Sequence, residues 1–134
     1  RLLRDEAVLL GGEVYLYGRP DAQRPGRGVE VRKTPAEFVE GLDTDKPILV
    51  LDHQPRELEE LAAAGVDVDL CGHTHDGQMF PGNLTVRLFW ENACGYLRVG
   101  SMHSIMTSGV GLFGPNMRVA TRAEICPITI HFMN

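Results

Sequence analysis

No run in the sequence approaches the ~18 consecutive apolar residues of a membrane-spanning helix, so no segment is expected to cross a bilayer. No stretch has the charged, apolar and small-residue zones of a secretory signal. Positive charge is short too: 13 Lys and Arg against 18 Asp and Glu leave a net charge of −5. A general nucleic-acid binder needs a basic face to displace counterions, so no nucleic-acid partner is expected. Cysteine is scarce. Cys71, Cys94 and Cys126 are odd in number and widely spaced, which suits reduced thiols rather than a disulfide framework or a zinc knot. An initiating methionine is lacking as well: the chain starts at Arg1, within RLLRDEAVLL, and is expected to be a piece of something longer. What is there is ordinary for a soluble domain, or part of one: 134 residues, 43% apolar and 23% charged.

The apolar pattern predicts a β-hairpin from residues 6–10 and 13–17, joined at Gly11-Gly12. Thr34-Pro35-Ala36-Glu37 predicts a helix start, with Thr34 as N-cap, Pro35 at the first helical position and Glu37 closing a capping box. That helix should end near Gly41. Ile48-Leu49-Val50-Leu51 is a continuous apolar run, as in a strand buried on both faces. Residues 55–64 carry Leu58, Leu61 and Ala62 on one helical face, and Gly65 can stop the helix. Val66, Val68 and Leu70 alternate with Asp67 and Asp69, which predicts a second strand. Strand, helix, strand is a βαβ unit with parallel strands. Beyond residue 72 the helical signal stops, and short apolar runs (84–90, 96–99, 102–107 and 125–132) alternate with Gly, Pro and Asn, those that hold His103 and His131 being strand-like.

Both strands of the βαβ unit end in histidine: His53 after the first, and Gly72-His73-Thr74-His75 after the second. Parallel neighbours lie about 4.8 Å apart, and open α/β sheets hold ligands at their carboxyl ends. Three imidazoles should therefore converge as metal ligands. A single histidine is usually a surface or hydrogen-bonded residue, but three at two adjacent strand ends outweigh that reading. Gly72 would let the backbone approach the ions, and Gly77 would relieve the turn after the pair.

Leu51-Asp52-His53-Gln54-Pro55, then Ala64-Gly65-Val66-Asp67, then Cys71 through Gln78, resembles the calcineurin-like metallophosphoesterases. The bacterial branch that includes membrane-associated phosphohydrolases is the most similar. Ser108-Gly109-Val110-Gly111, Gly114-Pro115, Arg118 and Glu124-Ile125 resemble that branch's C-terminal segment. The resemblance implies an α/β fold, the C-terminal part of a four-layer α/β/β/α sandwich, with residues 1–134 forming one portion of a single domain. It implies two divalent ions (Mn, Fe or Zn), with His53 and His73 on one and His75 on the other, His73 and His75 serving catalysis. The ions generate the nucleophile and offset charge on phosphoryl oxygens during hydrolysis of a phosphate ester or pyrophosphate. A cytoplasmic protein is implied, membrane-associated where an N-terminal anchor is present.

The sequence departs from the family in two respects. The Asp-x-His, Gly-Asp and Gly-Asn-His motifs of its N-terminal half are absent; Gly82-Asn83 is followed by Leu84. The chain is therefore expected to be inactive alone, with its ions weakly held, and to need an upstream N-terminal half as partner. Asp76 stands where the motif has glycine. Aspartate tolerates left-handed backbone, so it is read first as a turn residue and second as a partner orienting an imidazole. Asp52, Gly72, Gly77, Gln78, Gly109 and Gly111 complete the candidates, as neighbours of the ligands or walls of a substrate cleft.

Weaker features have ordinary readings. His103 and His131 are expected to be structural. Arg19, Arg24 and Arg27 belong to a loop expected to be solvated, with phosphate contact as the alternative. Asn83-Leu84-Thr85 matches a glycosylation acceptor by chance. The glycine-rich 108–114 loop could cradle a phosphate through its N–H groups, although it has no Walker Lys-Ser/Thr. A non-catalytic module holding one metal through three histidines is the rival function, and an exposed sheet edge would favour self-association.

Overall fold

The computed structural model of the protein describes residues 1–21, 23–24, 28–29 and 31–131. Arg27 lies outside them, as does the side chain of Arg24.

The hairpin forms from β1 (Glu6–Leu10) and β2 (Val14–Gly18), antiparallel with Leu10 opposite Val14. Gly11 and Gly12 take φ of 61° and 80°, the left-handed backbone that glycine accepts without penalty. A short ladder follows, β3 (Gln23–Arg24) with β4 (Gly28–Val29). Helix α1 (Pro35–Val39) has the predicted capping box: the Thr34 hydroxyl accepts from the Glu37 N–H, and Glu37 accepts from the Thr34 N–H at 2.8 Å.

Then come β5 (Ile48–Leu51), α2 (Leu58–Ala63) and β6 (Val68–Cys71), with the two strands parallel and Leu49 opposite Val68. α2 starts later than its apolar face suggests because Glu57 stands in left-handed backbone, φ 60°, with its carboxylate drawn to two arginines. Gly65, at φ 87°, stops it as expected.

Residues 82–88 are helical rather than extended: α3 (Gly82–Thr85) runs into a single 3₁₀ turn, Val86–Leu88. Pro81, at the N-cap position, supplies no N–H to a ladder and starts the turn instead. β7 (Gly95–Val99) and β8 (Met102–Met106) form the late strands. Residues 125–131 run without strand pairing. The six-stranded mixed sheet has the order β1-β2-β5-β6-β8-β7, and the fold is α/β.

Opposed residues on paired strands share a face, so the register divides the sheet in two. Tyr17, Val50, Asp69 and Ser104 lie in one row beneath α1 and α2, where Phe38, Leu58 and Leu61 complete the core. Gly18, Leu51, Leu70 and Ile105 form the next row, on the opposite face. There Leu51 is 40% exposed and Tyr96, opposite Ile105, is 60% exposed. One expectation is corrected here. β5 is buried on one face only, since among the described residues no helix covers the other. Asp69 points inward, fully buried, accepting a hydrogen bond from Ser104 Oγ at 3.0 Å. Asn92 Nδ2 in turn donates to Ser104. β6 therefore shows its leucine to the open face and its carboxylate to the core, the reverse of the usual pattern.

Candidate metal centre

The β5–β6 ladder continues past both strands. Asp52 N–H donates to Leu70 O at 3.0 Å, and Gly72 N–H donates to His53 O at 3.1 Å. These bonds hold the two exit loops side by side and bring His73 Nδ1 to 3.0 Å from His53 Nε2, the rings edge to face at 4.8 Å. Two nitrogens bound to one ion at about 2.0–2.1 Å lie roughly 3 Å apart, so the pair fits shared ligation. Trp90 contacts the outer side of His73, ring centres 5.2 Å apart, and Arg56 lies over the indole at 4.9 Å.

His75 belongs to a separate environment, the 3₁₀ turn His75–Gly77. His73, His75, Asp76 and Gln78 all take positive φ. Four non-glycine residues in that region within six positions represent stored strain, of order 1–3 kcal/mol each, held by their surroundings. Gly77 has a steric reason to be glycine: a Cβ there would lie 2.3 Å from the Gly82 carbonyl carbon. At Gly72 a Cβ would meet nothing closer than Thr107 O at 3.9 Å, so no protein atom demands glycine there. Nδ1 of His75 is buried and has no hydrogen-bond partner, an orphaned donor-acceptor that a ligand would satisfy.

Burial, then the neighbouring His53, lowers the pKa of His73; burial, then the Arg118 charge, lowers that of His75. Both effects favour the neutral imidazole that metal ligation requires.

His53 and His73 form the close pair of the three imidazoles. His75 packs against Phe113, ring centres 6.5 Å apart, within electrostatic reach of both. Among the described residues no group of three His, Cys, Asp or Glu side chains surrounds a single point.

Other candidates sort by contact. Asp52 is not in a cleft: it is sealed between Arg19 and Arg32, which also share Glu57 at 2.7 and 2.8 Å. The Arg19 side chain is fully buried in that network, so it belongs neither to a solvated loop nor to a phosphate site. Asp76 takes the left-handed turn conformation, φ 52° and ψ 36°. Its carboxylate faces Arg87 at 3.7 Å, and no hydrogen bond joins it to an imidazole among the described residues.

Gln78 is buried and fastens the glycine-rich loop. Its Nε2 donates to Phe113 O and Pro115 O, and its Oε1 accepts from the Phe113 N–H. Three N–H groups of that loop already have acceptors within the chain. Ser108 N–H is taken by Glu124, Gly109 N–H by Thr107 Oγ1, and Phe113 N–H by Gln78. Gly111 faces His75, a Cβ there falling 3.9 Å from Cε1, whereas Gly109 is open. His103 hydrogen-bonds Tyr96 at the sheet edge and His131 is exposed. Trp90 and Phe113, which flank the two imidazole environments, had no spacing or motif to mark them.

Comparison with known proteins gives a family. A Danio rerio transmembrane protein with metallophosphoesterase domain is 39% identical over 112 residues, 79% of this chain and 24% of that protein. An uncharacterized metallophosphoesterase of Aquifex aeolicus is 33% identical over 132 residues, 97% of this chain and 50% of that protein. One from Helicobacter pylori is 36% identical over 129 residues, 92% of this chain and 34% of that protein. The chain thus spans half or less of the length of these relatives. No protein-family model matches it, and no solved structure gives a significant match. By these relatives, the chain belongs to the calcineurin-like metallophosphoesterase family.

Proposed function

We propose that this chain contributes the histidine half of a two-metal phosphoesterase centre that hydrolyses phosphate esters or pyrophosphates. His53 and His73 hold one divalent ion and His75 holds the other. The observation that carries this reading is the 3.0 Å approach of His73 Nδ1 to His53 Nε2 at adjacent strand ends. The buried, unpartnered His75 Nδ1 supports the second position. A bound pair of divalent ions supplies Lewis acidity, activates the nucleophile and neutralises charge on the phosphoryl group. The chain's own residues orient the donors: Trp90 limits the His73 ring, and Phe113 and Gly111 limit His75.

Three neutral imidazoles bring no negative charge to two divalent ions. We infer that carboxylates come from an upstream half of the same protein, which also covers the apolar open face of the sheet and completes the sandwich. Relatives at least twice the matched length are in keeping with this. So is the open face itself, where Leu51 is 40% exposed and covering it would gain roughly 1 kcal/mol, a fraction of what burying a fully exposed side chain gives. No helix among the described residues is long and apolar enough to cross a membrane. Because a relative is named as a transmembrane protein, an anchor is proposed upstream, with the catalytic domain on the cytoplasmic side.

The test is hydrolysis of p-nitrophenyl phosphate with Mn²⁺. The chain alone should stay at background, and the same chain joined to its upstream half should turn over. Substantial turnover by the chain alone would show that no other half is needed.

A further inference from the structure

We propose that Arg118 is a positioning residue for His75, clamping the 108–113 loop against the turn that carries this imidazole. The inference rests on the reading of His75 as a metal ligand and gives that ligand its support.

The need for such support follows from the backbone. His53 and His73 leave the sheet on loops tied together by the extended β5–β6 ladder. His75 has no such ladder. Its turn is closed locally by Gly77 N–H to Thr74 O at 2.8 Å and Gln78 N–H to His75 O at 2.9 Å, within a run of positive φ angles. The loop facing the ring contains Gly109, Gly111 and Gly114, and Gly109 and Gly114 are themselves left-handed. A strained turn against a glycine-rich loop has many alternatives, and something must select one.

Arg118 does so with one guanidinium. Nη1 donates to His75 O at 3.0 Å. Nη2 reaches Ser108 O at 2.8 Å, Gly109 O at 3.1 Å and Gly111 O at 2.8 Å. Four carbonyls from two segments more than thirty residues apart therefore share one planar group. Among the described residues no carboxylate forms an ion pair with Arg118, so its hydrogen bonds go to the backbone rather than to a counter-charge. The consequence reaches the ring, because this loop brings Phe113 to stack at 6.5 Å and Gly111 to its edge. Lysine cannot reproduce the clamp: an ammonium is a point, whereas a guanidinium offers donors on two sides of a rigid plane.

The experiment uses ring-labelled histidine NMR on the full chain, as wild type, Arg118→Lys and Arg118→Ala, with Zn²⁺ as the probe. The Tyr17–Phe38 ring contact, far from the clamp, reports whether each variant is folded. In wild type the His75 ring should show a contact to Phe113 that Arg118→Ala loses. Zn²⁺ should shift His75 at least about tenfold less tightly in Arg118→Ala, while its affinity at His53 and His73 changes by less than about twofold. Arg118→Lys should fall between, and added methylguanidinium should restore the His75 contact in Arg118→Ala. If Arg118→Ala does not fold, Arg118→Lys carries the same comparison.

An unchanged His75–Phe113 contact, or equal loss of Zn²⁺ affinity at all three histidines, overturns the proposal. A wild type in which Zn²⁺ shifts no histidine overturns the ligand reading instead, while loss of the ring contact on substitution still establishes the clamp.

Discussion

His53 and His73 are positioned by a sheet, His75 by side chains, and the two solutions differ in what breaks them. The paired histidines inherit their separation from parallel strands whose hydrogen bonds continue into the exit loops. Moving them means distorting β5 or β6. His75 owes its place to Gln78, Arg118 and a strained turn, which can let go while the sheet survives. One half of the candidate site therefore fails with the fold, and the other can fail before it.

The largest predicted effect strikes the anchored half. Asp52, next to His53, lies buried between Arg19 and Arg32. Arg19→Met leaves a buried carboxylate short of a partner, and removing one member of such a network costs about 3–5 kcal/mol. Urea unfolding measures it, and a loss below about 1 kcal/mol would mean that the network does not anchor the His53 loop.

The next effect is a pH dependence in β6, the strand that leads to His73. Burial raises the Asp69 carboxyl from its ordinary 3.8 to about 6, against the opposing hydrogen bond from Ser104. Its folded pKa lies above its unfolded value, so between those two pH values the native state holds the extra proton. Stability should therefore be highest below about pH 4 as far as this group is concerned, and decline as pH rises to about 6, by roughly 3 kcal/mol at most. Subtracting the Asp69→Asn profile from wild type isolates the slope. A difference that is flat from pH 4 to pH 6 would contradict a buried, proton-retaining Asp69.

Smaller again is Gln78→Ala, on the side-chain-held half. It strands the part-buried Phe113 amide and two carbonyls, at a cost of about 1 kcal/mol, and should loosen His75 more than His53 or His73. Chemical-shift changes spread evenly over the three rings would blur the contrast between the two halves. The smallest prediction lies away from the site. Thr34→Ala removes the cap of α1 and costs about 1 kcal/mol, with no change in the His53–His73 contact by the same NMR measurement.

Much of the anchored half was legible in the sequence because its determinants are local. The Thr34–Glu37 capping box, the Gly11-Gly12 turn, the Gly65 stop and the two apolar runs each act within a few residues, and parallel pairing then brings His53 to His73. The burial of Asp69 was not legible, because alternation cannot tell which face of a strand is covered, and here the leucines face the open side. Pro81 turned an apolar run into a helical turn. Asp52 and Arg19 lie 33 positions apart, with no pattern to join them. The clamp on His75 was least legible, since Arg118 works on backbone carbonyls, and a carbonyl acceptor leaves no mark in a residue's identity.

The central claim is that these histidines serve two ions in two environments. Its most direct test counts metal by elemental analysis in the protein extended through its proposed upstream half. Two ions per protein are predicted in wild type, falling to one on replacing His75 by alanine while the ion at His53 and His73 stays. A single ion in wild type, or two retained in His75→Ala, would contradict the account.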